Sequence, residues 1–406
     1  MRYRLTARAI TIISAALVFV IALLAGAIIV AWTGVYDVAA STGHWPIVQN
    51  FLEFGMRNSI AVRAMANKPP PLDNPDLIRL GAAHFHRGCA FCHGAPGIPR
   101  NPFARHMLPS PPDLYTSMRP WTEGELFWIV KHGLKYTGMP GWIAPERDDE
   151  IWAVVAFLKR LPTLNADSYR DLALGSVRVS ERSGSELATV ESHPEAFSAC
   201  ARCHGAEGQL PMSDFVPVLH GQPVDYLLSA LQAYADGTRQ SGIMQPLAAD
   251  LQVEDMRRLA DYYAELVPLK TEPRARDAAL IESGRKLVVE GAPEIGVPAC
   301  VTCHTSTNSS APRLAGQHEA YMAGQLRFRK TGRVSATGNA ALMASIAQRL
   351  SDDQIDAASA YLASLPPGHS RLARHRRNRC ATAQTQHHSR SGDPSSVSGI
   401  YGHELT

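Results

Sequence analysis

One five-residue pattern occurs three times in this chain of 406 residues: Cys89-Ala90-Phe91-Cys92-His93, Cys200-Ala201-Arg202-Cys203-His204 and Cys300-Val301-Thr302-Cys303-His304. Two thiols at this spacing with a histidine after the second provide the attachment chemistry for a c-type haem. The thiols add to the porphyrin vinyl groups as thioethers, and the imidazole then ligates iron from the proximal side. A structural zinc site would need four Cys or His ligands close together, yet these pairs stand far apart and each carries its own histidine. A thioredoxin-type dithiol belongs in a βαβ setting, of which the sequence has no sign. A disulfide suits an oxidising compartment but does not explain the repeated histidine. The motifs use six of the seven cysteines. Three covalent haem c groups are therefore expected, held by Cys89, Cys92, Cys200, Cys203, Cys300 and Cys303, with His93, His204 and His304 as proximal ligands.

The other face of each iron decides the function. A methionine there makes the haem an electron carrier and raises its potential, whereas an open face admits small ligands or substrate. Met139, Met244 and Met343 follow His93, His204 and His304 at similar intervals, each a short way before the last helix of its unit. A lone methionine is ordinarily core filler, but three in register point to distal ligation. Rival ligands are Met107, Met118, His106 and His132 for the first haem, Met212 and His220 for the second, and Met322 for the third. His84 and His86 read as solvated groups or propionate neighbours, and the leftover Cys380 has no assigned role.

The elements that must position these residues fall into three units, at residues 75–164, 192–269 and 276–366. In the first, a helix carrying Leu77, Leu80, Gly81 and Phe85 leads into Cys89. A proline-rich stretch then reads as loop, and an apolar helix from Asp149 to Leu161 closes the unit. The second ends on a helix near Val253–Leu266. The third ends on one that opens with Ser351 and Gln354 in capping-box spacing. Residues 165–191 are polar and aperiodic, as in a linker. The second and third units look like copies: Gly221-Gln222 matches Gly316-Gln317, Tyr226 matches Tyr321, and Met244 matches Met343. The first shares only the order of helix, motif, loop, methionine and helix.

Ahead of the units, Arg2, Arg4 and Arg8 precede an uncharged run from Ala9 to Tyr36, long enough to cross a bilayer. The positive-inside rule keeps the arginines cytoplasmic and places the haem units outside, in the bacterial periplasm. Ala25-Gly26-Ala27 resembles a signal-peptidase site, but Ile28, Ile29 and Val30 prolong the run beyond it, which favours an uncleaved single-pass anchor in the inner membrane. Residues 37–74 hold an amphipathic helix with Ile47, Phe51, Leu52, Met56 and Ile60, expected to pack on the first haem unit, the alternative being contact with a partner subunit or the membrane surface, and then the stiff linker Lys68-Pro69-Pro70-Pro71. Residues 368–406 read as a disordered polar tail with an arginine-rich run from Arg371 to Arg379. The formal charge of +3 gives no reason to invoke nucleic acid.

Each unit resembles a class I cytochrome c. The second and third, with Gly-Gln-x-x-x-Tyr and a late methionine, are similar to the two-haem cytochromes of the c4 type. The Gly138-Met139-Pro140-Gly141-Trp142 loop resembles that of single-haem modules of bacterial respiratory chains. The resemblance implies an all-α fold of three tandem class I cytochrome c domains after a transmembrane helix. The whole is similar to triheme cytochrome subunits of periplasmic dehydrogenases, many of which are instead held by a C-terminal segment. The resemblance implies a non-enzymatic relay that takes electrons from a dehydrogenase towards quinone or a terminal oxidase. The other reading is a haem enzyme, a peroxidase or thiosulfate-type oxidoreductase, which requires one haem with an open distal face.

Overall fold

The computed structural model describes residues 7–39, 41–117, 120–175, 194–269, 276–304, 308–332 and 338–367. Met118, most of the expected linker, the tail and Cys380 lie outside the described residues. The described chain is helical, with no strand among its elements.

The first helix, α1 (Ala7–Thr33), has no buried residue over Arg8–Thr33 and is long and apolar enough to cross a membrane. A short connection follows, in which Tyr36 hydrogen-bonds His44 (2.6 Å) and packs edge-on against Trp45. The next helix, α2 (Pro46–Ala64), buries Ile60 and Ala64 against α6 (Glu123–His132). Asn67 donates to the Gly124 carbonyl at 3.2 Å and fastens the end of this contact. The expected apolar face of α2 is thus divided. Ile60 packs inward, while Ile47 and Phe51 join Phe54, Val62 and Met65 in an exposed stripe. Hydrophobic spacing alone does not say which of two apolar faces meets the protein.

The first core is built on the crossing of α3 (Pro75–Gly88) with α7 (Asp148–Arg160). Asn74 caps α3, accepting from Asp76 N, and the capping box of Thr122 with Glu125 starts α6. Gly81 makes the crossing close: a Cβ there would lie 1.9 Å from the Ala153 carbonyl oxygen. Phe85 and Phe157 fill the space beside it, both fully buried, with ring centroids 5.1 Å apart. The short turns α4 (Ala90–His93) and α5 (Pro102–Arg105) lie between.

The stretch expected to be linker begins with a helix, α8 (Ala166–Leu174), capped by Asn165 and Ser168 and packed on α3. Tyr169 and Ala173 are buried in the first core. Nine residues with their apolar side chains bunched at the C-terminal end give no clear period, so the docking emerges only in three dimensions.

Two further apolar clusters follow. One lies between α10 (Val224–Ala235) and α12 (Val253–Glu265), after α9 (Pro194–His204), with the short α11 (Met244–Ala249) beside them. The other joins α13 (Ala278–Glu290), α14 (Glu319–Lys330), α15 (Gly338–Ala347) and α16 (Asp352–Ser364). Here Gly284 repeats the role of Gly81, its would-be Cβ falling 1.9 Å from the Ala357 carbonyl oxygen. Ser351 and Gln354 form the capping box that their spacing suggests.

The repeat also builds the contact between these two halves. Gln222 exchanges hydrogen bonds with the Arg313 backbone, its Nε2 donating to Arg313 O (2.9 Å) and its Oε1 accepting from Arg313 N (2.9 Å). Its repeat partner Gln317 does the same with Val218, at 3.0 and 2.8 Å. Matched residues thus reach across in both directions, as a local pseudo-twofold axis requires.

Candidate haem centres

The three motifs sit at comparable local positions. Cys89 follows α3 and begins the α4 turn, Cys200–His204 closes α9, and Cys300–Thr302 is a tight helical turn after α13. Each histidine is then oriented by a proline carbonyl. His93 Nδ1 lies 2.9 Å from Pro112 O, His204 Nδ1 lies 3.0 Å from Pro217 O, and His304 Nδ1 lies 2.9 Å from Pro312 O. A carbonyl oxygen only accepts, so Nδ1 carries the hydrogen and Nε2 keeps its lone pair for a metal. Burial lowers all three histidines below their ordinary pKa, with the proline carbonyl opposing. The neutral imidazole is the form that ligates.

The first cysteine of each motif is not an activated nucleophile. Burial pushes the Cys89 thiol up to about 12 and those of Cys200 and Cys300 to about 11. All six motif cysteines are free of disulfides, and among the described residues no cluster of three or more His, Cys, Asp and Glu side chains could hold a metal ion. This donor set fits thioether attachment and a porphyrin-held iron better than zinc or a redox dithiol.

The second and third motifs open into one continuous cavity of about 1550 Å³, whose wall includes both Met244 and Met343. That exceeds the ~300–1,000 Å³ of a single small-molecule pocket. Its floor holds two guanidinium groups. Arg239 donates towards the hydroxyls of Tyr226 and Tyr321 (3.4 Å each) and lies 4.7 Å from the Tyr234 ring centroid. Arg329 lines the same space, and burial together with Arg239 lowers its pKa. Neither guanidinium pairs with a carboxylate among the described residues. Two like charges in an apolar cavity call for an anion, and the carboxylates of a porphyrin supply one. Sequence inspection gave Tyr226 and Tyr321 as repeat partners but missed Arg239, Arg329 and the three prolines. The only available signal was that Pro217 and Pro312 occupy matching places in the repeat.

Met139 stands in a pinned loop. Its amide donates to Thr137 Oγ1 (3.0 Å), its carbonyl accepts from Leu134 N (3.2 Å), and Trp142 N donates to Lys131 O (2.9 Å). Gly133 allows the tight return with φ +63, since a Cβ there would meet the Met139 carbonyl at 2.5 Å. Met244 opens α11 and Met343 lies within α15, so these two are on short helices instead of loops.

Among the described rivals, the three histidines are engaged otherwise. His106 is exposed and bonded to Pro102 O, and His132 is exposed beside Trp128. His220 Nε2 donates to Ala206 O, while Met322 is buried in the last core and also lines the shared cavity. Met212 donates to Cys203 O through its amide and accepts from Arg79 through its carbonyl. The Met107 sulfur packs against Gly138. Of the two readings of His84 and His86, the structure disagrees with the solvated one. His84 packs on Trp142, its pKa lowered to about 4 by burial, and His86 bonds the Tyr169 hydroxyl at 3.0 Å. Both are thus taken up within the first unit.

At the junction of the first two units, Glu150 and Arg147 are buried together. Desolvation opposes charge on Arg147, but Glu150 and Asp149 outweigh it and hold the guanidinium above its ordinary pKa.

Helical packing around paired cysteines, with a histidine presented through Nε2 each time, defines a c-type cytochrome: an electron-transfer protein with covalently bound haem c. Comparison agrees. The cytochrome C oxidase, cbb3-type, subunit III profile matches residues 76–158, and the cytochrome c profile matches residues 281–366. The chain belongs to the cytochrome c family and is homologous over part of its length to cytochrome c4. It is 37% identical over 190 residues to the thiosulfate dehydrogenase electron acceptor of Thiomonas intermedia, covering 45% of this chain and 86% of that protein. It is 34% identical over 173 residues to cytochrome c4 of Pseudomonas aeruginosa, covering 41% and 84%. Among solved structures, the thiosulfate dehydrogenase of Marichromatium purpuratum aligns with TM-score 0.38 and 33% identity, over 43% of this chain and 38% of that one.

Proposed function

We propose that this chain is a membrane-anchored triheme cytochrome c that relays electrons outside the bacterial inner membrane. In this reading α1 is the single anchor and the haem domains lie in the periplasm. The observation that carries the proposal is the threefold recurrence of Cys-x-x-Cys-His with Nδ1 tied to a proline carbonyl. Haem c would supply one-electron chemistry. The chain's own residues attach it through the six cysteines and offer Nε2 of His93, His204 and His304 to iron. Met139, Met244 and Met343 would serve as the distal ligands, and Arg239 and Arg329 would neutralise carboxylates in the shared cavity. Methionine in the sixth position occupies the place where substrate would bind, so the protein is a carrier and not an enzyme.

A periplasmic dehydrogenase is the proposed electron donor, and quinone or a terminal oxidase the acceptor. The printed names of relatives, electron acceptors of thiosulfate dehydrogenase, support a dehydrogenase partner. Mild-detergent purification of the tagged protein from membranes, with mass spectrometry, tests this directly. A stoichiometric dehydrogenase and a mass increment of three haems are expected. Carbon monoxide binding to any haem of the reduced native protein would overturn the carrier reading in favour of an open-site haem enzyme.

A further inference from the structure

The first domain reaches the second through a buried carboxylate that none of the haem chemistry above uses. Glu150, on α7, is 3% exposed, and its two oxygens collect four donors. Oε1 accepts from Arg147 Nη1 (2.9 Å) and from the Ser241 hydroxyl (2.6 Å). Oε2 accepts from the Gly242 amide (2.6 Å) and from Trp142 Nε1 (3.3 Å). Arg147 also donates to Gln240 O at 3.1 Å, and its guanidinium stands 5.1 Å from the Phe328 ring centroid of the third domain. Gly242 is pressed onto the Trp142 indole so closely that a Cβ would fall 2.1 Å from the ring nitrogen.

Ser241 passes this contact on. A serine hydroxyl has one hydrogen and two lone pairs. With its hydrogen given to Glu150, Ser241 Oγ accepts from the Met244 amide (3.0 Å) and the Ile243 amide (3.3 Å). The carboxylate therefore sets the direction of the hydroxyl, and the hydroxyl caps the turn that starts α11 at Met244. A buried ion pair contributes little to stability compared with apolar packing of the same volume, so adhesion alone does not explain four converging donors.

We propose that Glu150 is a positioning residue for the second haem: through Ser241 it holds Met244 in its ligating place, so distal ligation in the second domain depends on docking of the first. The proposal rests on the reading of Met244 as distal ligand. It also makes Trp142, three residues after Met139, the shared wall between the two methionine-bearing segments.

The test uses the full-length, haem-loaded protein and three variants, Glu150→Gln, Ser241→Ala and Met244→Ala. Glutamine offers one acceptor oxygen where the site needs two, and its amide would face a donor. In the reduced protein the methyl group of each ligating methionine gives its own ring-current-shifted proton resonance. Met244→Ala should abolish one of three and open one haem in three to carbon monoxide. Glu150→Gln and Ser241→Ala should weaken or abolish that same resonance, admit carbon monoxide at that haem and shift its midpoint potential, leaving the other two unchanged. If Ser241→Ala and Glu150→Gln lower only the melting temperature while all three resonances persist, the clamp is refuted and Met244 remains the ligand. If Met244→Ala itself leaves three resonances, the ligand assignment falls and the clamp with it. Should Glu150→Gln fail to accumulate, Ser241→Ala, which keeps the Arg147–Glu150 pair, decides alone.

Discussion

Adding one methyl group at Gly81 should loosen the first haem domain selectively. The ideal Cβ would sit 1.9 Å from Ala153 O, 2.6 Å from Ala153 C and 2.9 Å from Phe157 Cβ, and two of these three atoms are backbone. Ordinary contact begins at 3.4 Å, so α3 and α7 must part by about 1.5 Å. A gap of ~0.5–1 Å already forfeits a quarter to a half of the dispersion well, and Phe85, Ile151, Val154 and Phe157 all pack at this seam. Overpacking alone costs ~1–3 kcal/mol, and the lost contacts bring the expected cost of Gly81→Ala to about 3–5 kcal/mol. Gly284→Ala meets the same obstacle at Ala357 O and should weaken the third domain equally. Gly55→Ala is the control. It is exposed in α2, away from the haem cavity, with nothing within 4 Å of its would-be Cβ, so it should stabilise by ~0.4–1 kcal/mol. Denaturant unfolding gives the magnitudes, and hydrogen exchange by mass spectrometry gives the location. Gly81→Ala should expose the amides of α3 and α7 only, and Gly284→Ala those of α13 and α16. A Gly81→Ala protein within ~0.5 kcal/mol of the parent, with unchanged protection, would refute the close-crossing argument.

Met139→Ala should turn the first haem high-spin and ligand-accessible, and an unchanged visible spectrum without ligand binding would remove Met139 from the assignment. Acidification should destabilise the protein between pH 6.5 and about 4, because His84, held near 4 by burial, stays unprotonated while the unfolded chain takes up a proton. Stability therefore rises with pH across that window, by at most about 3 kcal/mol from this group, and His84→Leu should flatten the profile measured in urea. Gln222→Leu and Gln317→Leu each leave a backbone N–H and C=O unpaired, half-buried at Arg313 and buried at Val218, at up to ~1–3 kcal/mol per group. The Gln317 cost should be the larger, and no loss of stability in either variant would count against the pseudo-twofold contact.

The haem chemistry was legible in the sequence because covalent attachment needs a fixed local spacing that no tertiary contact can replace. Cys89, Cys92 and His93 announce themselves, as do the two later motifs. The terminal helices were legible for a similar reason: Ile151, Val154, Val155 and Leu158 recur at helical period, and Ser351 with Gln354 is a local cap. The repeat pointed to Gln222 and Gln317 as equivalent, but not to their reciprocal bonds, since pairing across two domains leaves no mark in either segment. Distant partners likewise decided which apolar face of α2 turns inward, why α8 belongs to the first core, and where Arg239 and Arg329 converge. Glu150 marks the limit most plainly. Along the chain it is one more acid at the start of an amphipathic helix. Only the fold brings Ser241 and Gly242, some ninety residues on, against its carboxylate. Local spacing determines what can be bonded covalently to a haem, whereas the burial of a charge and the donors that satisfy it are properties of the packed whole.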